Sequence, residues 1–73
     1  MAGLPVLSGK KIIRRLSKIG YLEVRQESSH IRLSCTGRTT VTVPDYKTIS
    51  KGLLRKILRD ANLSVEEFEK LGE

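Results

Sequence analysis

His30 is the only histidine in this 73-residue chain, and arginines stand on either side of it at Arg25 and Arg32. Imidazole can accept or release a proton near neutral pH, which no other unperturbed side chain does. Guanidinium groups bind phosphate through paired N–H donors. Together they suit a phosphodiester: the arginines hold the phosphate and the imidazole moves protons. A lone histidine is also often a structural residue, so its position relative to the core matters.

The residues around it alternate with period two. Ile31, Leu33 and Cys35 fall on one face, and His30, Arg32 and Ser34 on the other. A strand with this pattern turns the imidazole away from the core. Upstream, Tyr21 to Arg25 reads as a strand with Leu22 and Val24 on the apolar face and Tyr21, Glu23 and Arg25 opposite. Gln26, Glu27 and Ser28 read as a tight turn. Downstream, Thr36-Gly37-Arg38 is a hairpin signal, and Thr39 to Val43 is a β-branched strand that buries Val41 and Val43 before Pro44 ends it. The expectation is a three-stranded antiparallel meander with Arg25, His30 and Arg32 on its open face.

Two amphipathic helices flank the meander. From Gly9 to Ile19, Ile12, Ile13, Leu16 and Ile19 recur at helical spacing, with Lys10, Lys11, Arg14, Arg15 and Lys18 opposite. Ser8 fits the N-cap and Gly20 the C-terminal stop. Lys51 to Ala61 repeats the design, with Leu53, Leu54, Ile57, Leu58 and Ala61 inward, Ser50 as N-cap and Asn62 as terminator. Ser64 and Glu67 then form a capping-box pattern that opens a short third helix carrying Val65, Phe68 and Leu71. Residues 1–73 therefore read as one α+β domain, an αβββα two-layer unit with a short extra C-terminal helix. Both main helices must cover the same sheet face, the layout of the double-stranded-RNA-binding fold.

Charge points to a partner class. Residues 1–62 carry a net +9 and residues 63–73 a net −3, for +6 overall. A basic body of this size attracts polyanions, nucleic acid first among them. The lone Cys35 offers no internal disulfide and no cysteine pair for zinc, which favours a reducing compartment. The N-terminal stretch from Met1 lacks the apolar run of a signal peptide, and no segment is long enough to span a membrane. A cytoplasmic protein is expected. Asp45, Asp60 and the C-terminal glutamates lie on separate elements, so neither a metal nor another cofactor is expected.

From Leu4 through Phe68 the chain resembles the HicA family of toxin mRNA interferases, the nuclease partners of HicB antitoxins. The matching residues are Leu7-Ser8-Gly9, Gly20-Tyr21, Arg25, Ser29-His30, Val43-Pro44, Gly52-Leu53 with Arg55, Ile57-Leu58 and the closing run from Leu63 to Phe68. The resemblance implies a double-stranded-RNA-binding-like fold, RNA cleavage, and catalysis dependent on the histidine of a Gly-Ser-His motif. That histidine maps onto His30 and the preceding serine onto Ser29. Three positions depart from the pattern. Ser28 replaces the motif glycine, Gly52-Leu53 stands where a Gly-Thr pair is usual, and Tyr46 lies where a second histidine often follows Val-Pro.

The expected site is thus His30 as catalytic residue, supported by Ser29, Arg25 and Tyr46. Lys10, Lys11, Arg14, Arg32, Lys51 and Arg55 are expected to bind RNA, and a HicB-like antitoxin is the expected protein partner. A non-catalytic RNA-binding module of the same fold is the alternative from a different class.

Overall fold

Ser8 opens the first helix, α1 (Gly9–Ser17), its hydroxyl accepting from the Lys11 N–H at 3.2 Å. This satisfies one of the donors that a helix start leaves free. Gly20, with φ of 107°, takes the left-handed position that ends helices, and the Tyr21 N–H returns to the Leu16 carbonyl at 3.2 Å. The second helix, α2 (Lys51–Asp60), is bounded in the same way. Ser50 accepts from the Leu53 N–H, and Asn62 turns the chain with φ of 59°. The third, α3 (Val65–Lys70), opens on the expected capping box, with Ser64 and Glu67 exchanging two bonds of 3.0 Å. Hydrogen bonding to the carboxyl by the Ser64 backbone N–H, and next by the Ser64 side chain, holds the Glu67 carboxyl below the usual carboxylate range.

Between the helices, β1 (Leu22–Glu27), β2 (His30–Cys35) and β3 (Arg38–Pro44) form an antiparallel meander in that order. The computed structural model describes residues 6–72; the beginning of the stretch read for a signal peptide, at residues 1–5, lies outside them. Ile31, Leu33, Val41 and Val43 bury toward one side, against Ile12 and Leu16 of α1 and Leu54, Ile57 and Leu58 of α2. Phe68 of α3 is fully buried in the same core. His30, Arg32 and Thr42 on the opposite face are exposed. Among the described residues no helix is long and apolar enough to cross a membrane.

The first strand corrects the sequence expectation. Leu22 and Val24, assigned to the core face by alternation, are 69% and 58% exposed, whereas Tyr21 is buried. Tyr21 follows the glycine that closes α1, a place where an apolar residue packs back on the helix, and its hydroxyl donates to the Thr39 carbonyl at 2.7 Å. Burial pushes its phenol pKa up. That anchor sets the phase: Glu23 pairs with Leu33 and faces the helices, while Leu22 pairs with Ser34 on the open face. An irregularity between Glu23 and Arg25 then adds one residue, Val24, to the strand. Such a bulge shifts the alternation, so Gln26 faces the helices opposite Ile31, and Arg25 and Glu27 take the open face. The strand also runs on through Gln26 and Glu27, leaving Ser28 and Ser29 as the turn.

One backbone joint ties the layers together. At Gly9 an added Cβ would overlap the Pro44 carbonyl oxygen, and the Gly9 N–H donates to the Tyr46 carbonyl at 2.9 Å. Leu7 and Ile49 form an isolated bridge, the Ile49 N–H donating to the Leu7 carbonyl at 2.8 Å. The starts of α1 and α2 therefore lie side by side at the end of the sheet where β3 finishes.

Gly9→Ala should lower unfolding stability by about 1–3 kcal/mol in urea titrations, because the obstructing atoms are backbone and cannot rotate away. Because the Glu67 pKa is depressed by folding, its contribution is present above the ordinary carboxylate range and fades as pH falls below it. Glu67→Gln should therefore flatten the acid side of the stability–pH curve, measured as denaturation midpoints.

Candidate active site on the open sheet face

Two cross-strand rows make up the site. One comprises Glu27, His30 and Pro44; the other comprises Arg25, Arg32 and Thr42. Direct cross-strand partners share a face with Cβ atoms about 4.5–5.5 Å apart, and the next row on that face lies about 7 Å along the strand. One imidazole, one carboxylate and two guanidiniums thus share a small patch. His30 is exposed, and its imidazole forms no hydrogen bond with another described residue. Arg25 Nη2 donates to Glu27 Oε2 at 2.9 Å, with both side chains mostly in solvent. An exposed pair of this kind contributes less than about 1 kcal/mol, so the guanidinium can be shared with an incoming anion.

The backbone under His30 is tightly held. Ser28 and Ser29 form a two-residue loop closed by the Glu27–His30 pair, and Ser28 has φ of 55°. A positive φ at the first loop residue and not the second is the pattern of type II′ hairpins, where glycine is preferred. The motif glycine replaced by Ser28 thus belongs to the position that needs left-handed backbone. Gln26 Nε2 donates to the Ser28 carbonyl at 3.2 Å. On the other side, the Asp45 N–H donates to the Ser29 carbonyl at 2.6 Å. The main chain of Ser29, next to His30, is therefore tied to the segment after β3.

Tyr46 follows two residues after Pro44. Its carbonyl holds Gly9, and its half-exposed side chain lines a shallow hollow with Ser8, Lys10, Asp45 and Lys47. The predicted basic residues divide by location. Lys10 and Arg14 line a groove of about 570 Å³ between α1 and β1, together with Glu23, Gln26 and Asp45. This groove lies on the helix side of the sheet edge, so these two cations are not on the His30 face. Lys11 lines a neighbouring hollow with Arg14, Arg15 and Lys18. Lys51 and Arg55 are exposed on α2, whose start the Leu7–Ile49 bridge sets beside that of α1.

Three other cations are structural. Arg15 lies over the Phe68 ring at 4.9 Å and reaches the Phe68 carbonyl at 3.5 Å, while Lys18 Nζ donates to the Leu71 carbonyl at 2.6 Å. Both bind the C-terminal end of α3, where free carbonyls and the helix dipole attract positive charge. Arg38 Nη1 donates to the Ala61 carbonyl at 2.8 Å, at the end of α2. Glu27 is the site-facing residue that the sequence reading left in a turn. The signal for it was the glycine-preferring position at Ser28, which marks the first residue of the loop and makes Glu27 the strand partner of His30.

Ser28→Gly should raise stability by about 0.5–1 kcal/mol in urea titrations, since left-handed backbone costs an L-residue about 1–2 kcal/mol and glycine gives part of that back as chain entropy.

A comparison with curated proteins finds no match. The family model described as HicA toxin of bacterial toxin-antitoxin matches residues 9–63, three quarters of the chain. The match spans α1, the whole sheet and α2, and it includes His30, Arg25 and Arg32. The chain belongs to the HicA toxin family of bacterial toxin–antitoxin systems.

Proposed function

We propose that this toxin is an endoribonuclease that cleaves mRNA without a metal ion, using His30 for proton transfer. The observation that carries the proposal is the register of the open face, which sets His30 in the row next to Arg25 and Arg32. RNA supplies its own nucleophile. When the 2′-hydroxyl loses its proton, its oxygen can attack the adjacent phosphorus in line, leaving a cyclic phosphate and a free 5′-hydroxyl. His30 serves one end of this step, and the guanidiniums of Arg25 and Arg32 balance the charge that builds on the phosphorane oxygens.

Lys10, Lys11, Arg14, Lys51 and Arg55 extend the cationic surface around the sheet edge and the helix starts, where they would follow the RNA backbone. The exposed start of α2 adds free backbone N–H donors for a phosphate. Tyr46, at the same end of the molecule, supports the position of the substrate. A HicB-like antitoxin would neutralise the toxin by covering this basic surface and masking His30. Charge complementarity with an acidic partner is the force that would drive this contact.

His30→Ala should reduce cleavage of labelled RNA by about 10²-fold or more, the usual contribution of general acid–base catalysis, while RNA binding persists. Cleavage by the unaltered protein should continue in EDTA. Loss of cleavage on chelation, or full activity in His30→Ala, would refute the proposal; binding with no cleavage by the unaltered protein would identify an RNA-binding module instead.

A further inference from the structure

We infer that Glu27 is the second proton-transfer group, acting as general base to His30 as general acid; this inference rests on the ribonuclease reading. In-line attack by a 2′-hydroxyl needs one group to accept a proton and another to donate one, and a single imidazole cannot do both in the same step. The register supplies the missing group. Glu27 is the direct cross-strand partner of His30 on the open face, and the two close the same two-residue loop. The arginine row lies immediately beside them.

The other carboxylates near the site are placed elsewhere. Glu23 faces the helices opposite Leu33 and lines the α1–β1 groove, and Asp45 lines that groove and the Tyr46 hollow. Glu27 accepts from Arg25 Nη2 at 2.9 Å, and the backbone of the loop between Glu27 and His30 is fixed by the Gln26 and Asp45 hydrogen bonds. The braced backbone keeps the two positions directly paired across the strands, the placement from which paired acid–base catalysis can start.

The assignment of roles follows from ordinary chemistry. Carboxylates are charged at neutral pH and accept protons, whereas imidazole can carry a proton to donate there. In the step, the Glu27 carboxylate takes the 2′-hydroxyl proton as the 2′-oxygen bonds to phosphorus. The bond from phosphorus to the 5′-oxygen breaks, and that oxygen leaves with the ring N–H proton of His30. The products are a 2′,3′-cyclic phosphate and a 5′-hydroxyl, with Glu27 protonated and His30 neutral. Exchange with water restores both groups. Arg25 bridges the two functions: its guanidinium moves from sharing Glu27 to sharing the phosphate as negative charge shifts there.

The test compares pH–rate profiles on a short RNA and on the same RNA with sulfur in place of the scissile 5′-oxygen, a leaving group that departs without being protonated. Glu27→Gln should lower kcat/KM by about 10²–10³-fold on both substrates and abolish the acid limb of the profile, with Glu27→Asp recovering part of the rate. His30→Ala should lose the alkaline limb and be rescued by sulfur. Arg25→Gln breaks the same ion pair and should keep the acid limb, which separates proton transfer from mere support. If Glu27→Gln stays within about threefold of the unaltered protein on the normal RNA while His30→Ala is inactive, the base assignment fails and the ribonuclease reading stands. If sulfur rescues Glu27→Gln and not His30→Ala, the two roles are reversed and the inference is overturned. Full activity in His30→Ala defeats the ribonuclease reading itself.

Discussion

Much of this structure depends on one close backbone approach, that of Gly9 to the end of β3. With no side chain at Gly9, α1 can press against the Pro44 carbonyl and donate its first N–H to Tyr46. The next residue in that segment, Asp45, donates to Ser29, which lies in the turn before His30. Three elements distant in sequence are therefore locked through main-chain atoms, whose positions do not vary with side-chain rotamer. The imidazole is presented from the strand end that this joint immobilises. A site on strands braced in this way holds its geometry better than one carried on a free loop.

The second organising constraint is that the sheet buries one face only. Ile31, Leu33, Val41 and Val43 all point to the helices, and the fourteen buried apolar residues among those described form a single core on that side. Amphipathic strands in a two-layer domain can satisfy only one hydrophobic surface. The remaining face is left for charged groups that would be costly inside. The site is thus a consequence of the layer arrangement, built on the face that the core does not need.

The strong positive charge has more than one use. Arg15, Lys18 and Arg38 bind carbonyls at the ends of α3 and α2, so part of the basic composition serves the fold. Arg25 and Arg32 face each other across the first strand pair, an arrangement that is unfavourable without an anion between or beside them. Glu27 relieves part of that repulsion in the free protein, and a phosphate would relieve more of it. The same pairing that makes the patch electrostatically tense underlies the RNA contact proposed for it.

Local chemistry made much of this legible in the sequence. Ser8, Ser50 and Ser64 announced three helix starts, Gly20 and Asn62 two helix ends, and the alternation from His30 to Leu33 placed the imidazole outside the core. Each of these rests on interactions within a few residues, which a sequence carries in full. The course of β1 was not legible. Hydrophobicity pointed Leu22 and Val24 inward, but burial of Tyr21 and a bulge at Val24 turned them out and carried Glu27 into register with His30. The division of the cations into structural and free was equally hidden, because Arg15, Lys18 and Arg38 find their carbonyl partners more than twenty residues away. By itself the sequence determined the elements, their order, the family pattern and the outward histidine. The sequence also set Arg25 and Arg32 beside it; only the tertiary structure decided which carboxylate joins them, because strand register is a property of two paired segments and cannot be read from either one alone.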